Sequence, residues 1–317
     1  MTTSSSYQPS LGVRRRLAAI ADAKGRITML AIDHRQNLMR ALGEGTTPDQ
    51  LTDFKLDVIR ALGPAASSIL TDPEYGAAQA ITDGALAGGR GLVLALEATG
   101  YVPDGGDRVS KVLDGWSVDQ ALALGADGVK LLIYYHPDGA TAPRHDELVG
   151  SIAEQCRAHA LPLFVEPLSY QPGGGPVPDD ELADVVVETA ARLTAIGGDV
   201  LKAEFPSRHL DPAEWETPLA RLGEASQIPW VILSGGVPFE RFADQAAAAA
   251  HHGCCGVMVG RAVWNEAVEL TGAERTRFLT TTARHRLDVL AAIDGPGWHD
   301  RATTLDRPGA EWFRQED

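Results

Sequence analysis

The sequence has few cysteines, no long apolar run and no apolar leader, and each absence excludes a class of protein. Its 317 residues include three cysteines, Cys156, Cys254 and Cys255, spaced neither as metal ligands nor as the disulfide framework of a secreted protein. No run approaches the roughly 20 apolar residues of a membrane-spanning helix. Residues 1–10 are polar and lack the apolar core of a signal peptide. We therefore expect a frayed lead-in to a cytoplasmic protein.

Basic residues are also in short supply. The chain has 28 Lys and Arg against 43 Asp and Glu, a formal net charge of −15. This balance argues against nucleic acid or an anionic membrane surface as a partner. An anionic small molecule is still compatible with the charge, but only in a local basic pocket of an acidic protein.

Short β-rich runs alternate with helix-compatible segments along the chain. Eight such runs are predicted as strands, at residues 28–32, 67–70, 91–96, 129–133, 163–165, 200–204, 230–233 and 256–259. The clearest intervening helices are predicted at residues 52–62, 117–124, 147–159, 179–196 and 239–252. Continuous apolar strands that alternate with helices indicate a parallel sheet.

Eight strand–helix units predict a closed (β/α)8 TIM barrel. The alternative is a doubly wound open sheet, which is disfavoured because no Gly-x-Gly-x-x-Gly follows the first strand. We expect one domain over residues 1–317, with a helical segment at 261–293 and a C-terminal tail at 294–317. The Gly-rich stretch 173–176 is either a flexible lid or an ordinary surface loop.

The most informative stretch is residues 199–206, DVLKAEFP, which places Lys202 inside an apolar strand. An ammonium group there costs several kcal/mol unless it is paired or loses its proton. A surface pair of Lys202 with Glu204 on an edge strand is the alternative, but apolar residues flank both. We therefore predict that Lys202 is a nucleophile that forms a Schiff base with a carbonyl substrate.

Other ionisable residues lie at the predicted strand ends, where active sites of such barrels form. Lys130 is a second lysine in an apolar run, and two facing ammonium groups are expected to lower the pKa of at least one of them. Glu166 is predicted to be the general acid/base. Asp33 is predicted to position or deprotonate a hydroxyl, although a structural ion pair between Asp33 and Arg35 is an equal alternative.

Glycine-rich turns follow the last two predicted strands, at the usual phosphate site of this barrel. Glycine lets backbone N–H groups approach a phosphate, and arginine offers two parallel donors. Two Gly-rich turns without a ligand are the alternative. The predicted phosphate-binding residues are Ser234, Gly235, Gly236, Gly260 and Arg261.

Three histidines that could face the same end of the barrel are candidates for a metal site. A zinc site needs three convergent ligands, yet His34, His136 and His209 come from separate strand ends without a short pairing. We therefore predict neither a metal nor a cofactor. A zinc-dependent enzyme that uses these histidines is kept as an alternative, and activity sensitive to a chelator would favour it.

With these residues in place, the chain resembles the class I tagatose-1,6-bisphosphate aldolases and the related sulfofructose-phosphate aldolases. The resemblance spans nearly the whole chain in family order. It rests on LAIDHR (30–35), LTDFK (51–55), SSILTDPEYG (67–76), LEATGY (96–101), SVDQALALGADGVKLLIYY (117–135), FVEPLSY (164–170), DVLKAEFP (199–206), PWVILSGGV (229–237) and GVMVGRAVW (256–264).

The resemblance implies a metal-independent (β/α)8 barrel that cleaves ketose phosphates through a Schiff base on Lys202. Glu166 would transfer protons and Lys130 would assist. Asp33 and His34 would contact the substrate, although the family commonly has glutamine at the position of His34. The phosphate would be held by Leu233, Ser234 and Arg261.

The resemblance favours tagatose 1,6-bisphosphate as the substrate, which would be cleaved to dihydroxyacetone phosphate and glyceraldehyde 3-phosphate. A 6-deoxy-6-sulfofructose 1-phosphate that yields sulfolactaldehyde is the close alternative, and a non-catalytic regulator that binds sugar phosphates is another. Candidates for the second anion site are Arg35, Arg108 and Lys111. Barrels often associate through an exposed apolar helix face, so a homo-oligomer is an open prediction.

Overall fold

A computed structural model describes residues 7–86 and 89–312 of the chain. The strands are β1 (Ile27–Ala31), β2 (Ser68–Thr71), β3 (Gly91–Ala95), β4 (Val102–Asp104), β5 (Asp107–Val109), β6 (Gly128–Tyr135), β7 (Leu163–Ser169), β8 (Val200–Ala203), β9 (Trp230–Leu233) and β10 (Gly256–Val259). Eight of them are parallel and close into a barrel in the order β1-β10-β9-β8-β7-β6-β3-β2, and β4 and β5 form a separate hairpin. The predicted barrel is confirmed.

Helices alternate with the barrel strands, and a π-helix at Leu279–Ala283 connects the last two helices. The predicted helical segment 261–293 is interrupted at residues 269–271. None of the described helices is long and apolar enough to cross a membrane. The helices are α1 (Leu11–Ile20), α2 (Gln36–Leu42), α3 (Pro48–Leu62), α4 (Ala77–Asp83), α5 (Val118–Ala123), α6 (Ala142–Ala158), α7 (Leu182–Ile196), α8 (Glu216–Ala225), α9 (Phe239–His251), α10 (Arg261–Trp264), α11 (Gly272–Phe278) and α12 (Arg284–Ala292).

Strand alternation decides which side chains point into the barrel. On β6, Val129 and Leu131 pack against the surrounding helices, so Lys130 faces inward. On β8, Leu201 packs outward, whereas Val200 lies in the interior cluster and Lys202 shares its face. The barrel interior is thus apolar at its lower levels and ionisable toward the carboxyl ends of the strands.

Strand β7 is longer than predicted, since it continues past Val165 to Ser169. Pro167, which cannot donate a backbone hydrogen bond, made an earlier end plausible. The strand continues because it pairs with β6 along its whole length, whereas β8 pairs with it only at Phe164 and Val165. The extra length places Glu166 inside the barrel rather than in a loop.

The amino-terminal end of the barrel is covered by segments whose role was not predicted from the sequence. Helix α1 buries Leu17 and Ile20 in the interior cluster, and Trp298 joins it from the predicted tail. The Tyr7 hydroxyl donates to Asp199 Oδ1 at 2.9 Å. The predicted fraying is therefore wrong for residues 7–10, while residues 1–6 and 313–317 lie outside the described part. That the chain forms one domain stays a prediction.

The hairpin β4–β5 follows β3 and was not predicted. It lies against the Gly-rich loop, because the Gly173 amide donates to the Gly106 carbonyl at 3.2 Å. This loop is exposed at residues 173–176. Its contact with the hairpin places both segments over the same side of the barrel mouth.

Candidate active site

A cavity of about 310 Å³ opens at the carboxyl ends of the barrel strands. Every predicted catalytic and phosphate-binding residue except Lys130 and Gly236 lines it. Lys130 is fully buried against carboxylates that do line the cavity, and Gly236 is exposed and follows Gly235 in the chain. The lining residues that the following paragraphs use are Asp33, His34, Arg35, Glu97, Gly100, Tyr134, Glu166, Lys202, Glu204, Leu233, Ser234, Gly235, Gly260 and Arg261.

Lys202 and Glu166 form a close pair inside the barrel. Lys202 Nζ lies 2.8 Å from Glu166 Oε1, and both side chains are buried. Burial alone would raise the pKa of the Glu166 carboxyl, but Lys130 and Lys202 outweigh it and hold this pKa below its usual value. Glu166 is therefore an ionised acceptor in direct reach of the Lys202 amine.

Lys130 is surrounded by three carboxylates. Its Nζ lies 2.7 Å from Asp33 Oδ2, 2.5 Å from Glu97 Oε1 and 3.0 Å from Glu166 Oε2. Burial opposes its charge, but the carboxylates raise its pKa well above the usual value for lysine. The predicted lowering of at least one lysine pKa does not occur at Lys130, which stays a cation at neutral pH.

Asp33 pairs with Lys130 rather than with Arg35. Burial would raise the pKa of Asp33, but Lys130 and Lys202 hold it far below its usual range. Arg35 instead bonds Glu74 Oε2 at 2.8 Å and the Glu97 carbonyl at 2.5 Å. The alternative of a structural Asp33–Arg35 pair is therefore wrong, and the Asp33 carboxylate faces the cavity.

Sequence reasoning assigned no role to Glu97 or Glu204. Glu97 binds Lys130 and also accepts from the Leu132 amide at 3.0 Å. Glu204 lines the cavity, and its Oε2 accepts from the Ser169 amide at 2.6 Å. Burial raises the pKa of Glu204. Their positions at strand ends were the available signal, but their partners come from distant strands.

His34 lies against Trp264 at the side of the cavity. The two rings meet edge to face with centroids 5.3 Å apart. Burial lowers the pKa of His34 to about 4, against the opposing pull of Asp33. At neutral pH this side chain is an uncharged imidazole, as the amide of glutamine would be uncharged.

The predicted phosphate-binding residues meet at one side of the cavity. Gly236 adopts a left-handed backbone, with φ +85°, and a Cβ there would lie 3.3 Å from the Arg261 guanidinium carbon. A Cβ at Gly260 would lie 2.9 Å from the Ala31 carbonyl oxygen. Both positions therefore need glycine. The resulting group, Leu233, Ser234, Gly235, Gly236, Gly260 and Arg261, is called the phosphate cup below.

Arg261 gives this cup a cationic side chain at the barrel mouth. Its side chain is exposed and forms no salt bridge with any carboxylate in residues 7–86 or 89–312. Ser234, by contrast, is buried beside it. An unpaired guanidinium next to glycine backbone and a hydroxyl is suited to a tetrahedral anion.

Comparison with protein families decides how this arrangement is classified. A family model described as "DeoC/LacD family aldolase" matches residues 27–266. The chain belongs to the DeoC/LacD aldolase family. The match includes all eight barrel strands and every predicted site residue, so this aldolase carries its candidate residues within the family region.

Curated relatives cover most of this aldolase. Tagatose 1,6-diphosphate aldolase 1 of Enterococcus faecalis is 33% identical over 307 residues, which is 88% of this chain and 94% of the relative. Tagatose 1,6-diphosphate aldolase of Streptococcus pneumoniae is 31% identical over 331 residues, which is 91% of this chain and 98% of the relative.

Solved structures share the fold of this aldolase. A Schiff-base-forming fructose-1,6-bisphosphate aldolase superposes with a TM-score of 0.59 at 21% identity, covering 86% of this chain and 99% of the other. Fructose-bisphosphate aldolase from Slackia heliotrinireducens superposes with a TM-score of 0.65 at 16% identity, covering 89% and 91%. At these identities the likeness concerns the barrel fold.

The three candidates for a second anion site of this aldolase differ in their surroundings. Arg35 is buried and engaged by Glu74 and Glu97. Lys111 is an exposed residue that pairs with Asp114 at 2.9 Å. The Arg108 guanidinium instead stacks on tyrosine rings beside the cavity wall. Of the three, Arg108 is the one next to the cavity without a carboxylate partner among the described residues.

The histidines do not assemble a metal site in the described structure. No group of three or more His, Cys, Asp or Glu residues there has an arrangement that could hold a metal ion. His136 is buried and its Nδ1 accepts from the Asp138 amide at 3.2 Å, while His209 is exposed. Neither lines the cavity that contains His34.

Proposed function

We propose that this aldolase is a class I enzyme that cleaves tagatose 1,6-bisphosphate to dihydroxyacetone phosphate and glyceraldehyde 3-phosphate. The observation that carries the proposal is the buried Lys202 amine, 2.8 Å from an ionised Glu166. The substrate is proposed from the names of the curated relatives. A cytoplasmic location and a homo-oligomer stay predictions.

The proposed reaction begins with proton transfer from Lys202 to Glu166, because only the neutral amine attacks a ketone. Attack at C2 gives a carbinolamine, and Glu166 returns a proton to its hydroxyl, which leaves as water. The iminium then accepts the electron pair of the C3–C4 bond while Asp33 takes the proton of the C4 hydroxyl. Protonation of the enamine and hydrolysis release dihydroxyacetone phosphate and restore the amine.

Lys130 has a supporting part in this scheme. Its raised pKa keeps it charged, so it is not a nucleophile. Its ammonium contacts Asp33 and Glu166, the two groups that exchange protons with the substrate. It would therefore favour their ionised forms and hold them toward the reacting carbons.

Arg261→Gln is expected to raise KM for the substrate about 10- to 100-fold, with kcat changed less than about threefold, because a charge-assisted bond to phosphate is lost far from the reacting carbons. Steady-state cleavage assays measure both constants. Arg284→Gln is the control, since Arg284 is an exposed arginine bonded to Asp288 on α12. An unchanged KM in Arg261→Gln would contradict the phosphate cup.

Borohydride trapping tests the proposed function. The protein is incubated with dihydroxyacetone phosphate, reduced, digested and analysed by peptide mass. A reduced adduct on the peptide that contains Lys202 is the expected result. An adduct on Lys130 would keep the class and reverse the lysine roles. No adduct, together with turnover that a chelator abolishes, would overturn the class I proposal in favour of a metal-dependent aldolase.

A further inference from the structure

Arg108, on strand β5 of the hairpin, lies within a cage of three aromatic rings. Its guanidinium carbon is 4.8 Å from the ring centroid of Tyr101, 5.2 Å from that of Tyr134 and 4.9 Å from that of Tyr170. Tyr101 and Tyr134 also meet edge to face at 4.9 Å. Tyr134 lines the cavity, and so does Gly100, the chain neighbour of Tyr101, so the cage adjoins the cavity wall.

The charge of Arg108 is not neutralised within the described chain. In residues 7–86 and 89–312, its guanidinium forms no salt bridge and donates no hydrogen bond. The neighbouring Asp107 is engaged elsewhere, since it accepts from the Tyr170 hydroxyl at 2.9 Å and the Ala140 amide at 3.0 Å. Stacking uses the faces of a guanidinium, so its N–H edges stay available for an anion.

The cage is held in place by hydrogen bonds around Arg108. The Tyr170 hydroxyl lies 3.4 Å from the Arg108 amide and 3.2 Å from the Thr141 hydroxyl. The Ser110 amide donates to His145 Nε2 at 2.9 Å. These bonds connect the hairpin to α6 and to the residue that follows β7. The Arg108 side chain is therefore already held in position, and binding a ligand would cost little conformational entropy.

Barrel topology places the cage across the mouth from the phosphate cup. Arg261 follows β10, and Tyr134 lies on β6, four strands further round a barrel of eight. Likewise, Ser234 follows β9, and the hairpin begins after β3, again four strands away. Lys202 on β8 lies between the two sides. A guanidinium therefore lies at each of two opposite sides of the barrel mouth, Arg261 in the cavity lining and Arg108 against Tyr134, with Lys202 between them.

We propose that Arg108, within the Tyr101–Tyr134–Tyr170 cage, binds the second anionic group of the substrate, the one remote from the phosphate cup. This inference rests on the proposed function, in which a six-carbon ketose carries an anion at each end. The ligand chemistry is a tetrahedral oxyanion, either phosphate or sulfonate, which a guanidinium fork binds through two parallel hydrogen bonds.

Binding of non-reacting analogues tests the inference independently of catalysis. A hexitol 1,6-bisphosphate and a hexitol 1-phosphate lack the carbonyl, so neither forms a Schiff base. Arg108→Gln is expected to weaken calorimetric binding of the bisphosphate about 10- to 100-fold and that of the monophosphate less than about threefold. Lys111→Gln tests the competing candidate for this site, because Lys111 is a cation just after the same hairpin that pairs with Asp114.

A selective loss of bisphosphate affinity in Arg108→Gln, with Lys111→Gln unaffected, supports the assignment. An equal loss for both hexitol ligands would show a structural effect and overturn it, as would unchanged binding of both. Borohydride trapping with dihydroxyacetone phosphate is run on the same variant. An adduct in Arg108→Gln shows that the Lys202 chemistry is intact, while absence of an adduct in the unmodified protein counts against the proposed function alone.

A second comparison distinguishes phosphate from sulfonate as the anion that Arg108 binds. Cleavage of tagatose 1,6-bisphosphate and of 6-deoxy-6-sulfofructose 1-phosphate is measured in the unmodified protein and in Arg108→Gln. The substrate whose kcat/KM falls about 10-fold or more identifies the anion that Arg108 binds. If kcat/KM falls for neither, the assignment of Arg108 is overturned.

Discussion

Lys202→Met is expected to lower kcat for ketose bisphosphate cleavage by at least about 10⁴-fold, since removing the nucleophile of other covalent enzymes costs about 10⁶-fold. Methionine keeps the length and apolar stem of the side chain but has no amine. The variant should also form no reduced adduct with dihydroxyacetone phosphate. Steady-state cleavage assays and intact mass after borohydride reduction measure the two effects.

Folding of this variant is expected to be preserved because, among residues 7–86 and 89–312, Glu166 is the one carboxylate within ion-pair distance of Lys202, and Glu166 also contacts Lys130. Glu166 is therefore not left without a cation. Lys24→Met is the control for replacing a lysine at an exposed site outside the cavity. A persistent adduct in Lys202→Met, mapped to the Lys130 peptide, would contradict the assigned roles.

The barrel and the identity of its ionisable interior residues could be predicted from the sequence because both leave local signals. Parallel strands covered by helices are continuously apolar, so Lys130 and Lys202 stand out as charges in buried runs. The strands β9 and β10 run over the predicted residues, Trp230–Leu233 and Gly256–Val259. Because each of these short strands is followed by a glycine-containing turn, its first and last residues can be predicted closely.

The partners of these residues could not be predicted, because pairing inside a barrel joins distant segments. Lys130 was expected to share one pocket with Lys202, and Asp33, Glu97 and Glu166 surround it. These carboxylates raise the pKa of Lys130, so it is not a lysine whose pKa is lowered. The arrangement depends on which strand ends are neighbours and on how deep each side chain lies in the barrel. Local sequence patterns predict neither.

The segments that cover the amino-terminal end of the barrel, and the hairpin β4–β5, were not predicted for a related reason. The amino-terminal segment is polar in sequence, but Tyr7 is held by Asp199, a residue 192 positions away. The hairpin strands have three residues each, too few for a period of two to be detected. Arg108 could therefore be named as a basic candidate from sequence, whereas its aromatic cage required the fold.

Glu166→Gln is expected to lower kcat about 10²- to 10⁴-fold, the range for loss of a positioned general acid/base. Glu166 is the carboxylate that contacts both lysines, at 2.8 Å from Lys202 and 3.0 Å from Lys130. An amide is nearly isosteric but cannot take a proton from the Lys202 amine. Both imine formation and imine hydrolysis should therefore slow, as measured by single-turnover and steady-state cleavage.

The borohydride-reduced adduct on Lys202 distinguishes a catalytic role of Glu166 from a structural one. Lys202 stays present in Glu166→Gln, so borohydride should still trap dihydroxyacetone phosphate on it, only more slowly. Glu204→Gln is the comparison, because Glu204 lines the same cavity but bonds the Ser169 amide. Its effect on kcat should be at least about 10-fold smaller than that of Glu166→Gln. Equal losses in the two variants, or a normal trapping rate in Glu166→Gln, would mean that proton transfer at Lys202 runs through another group.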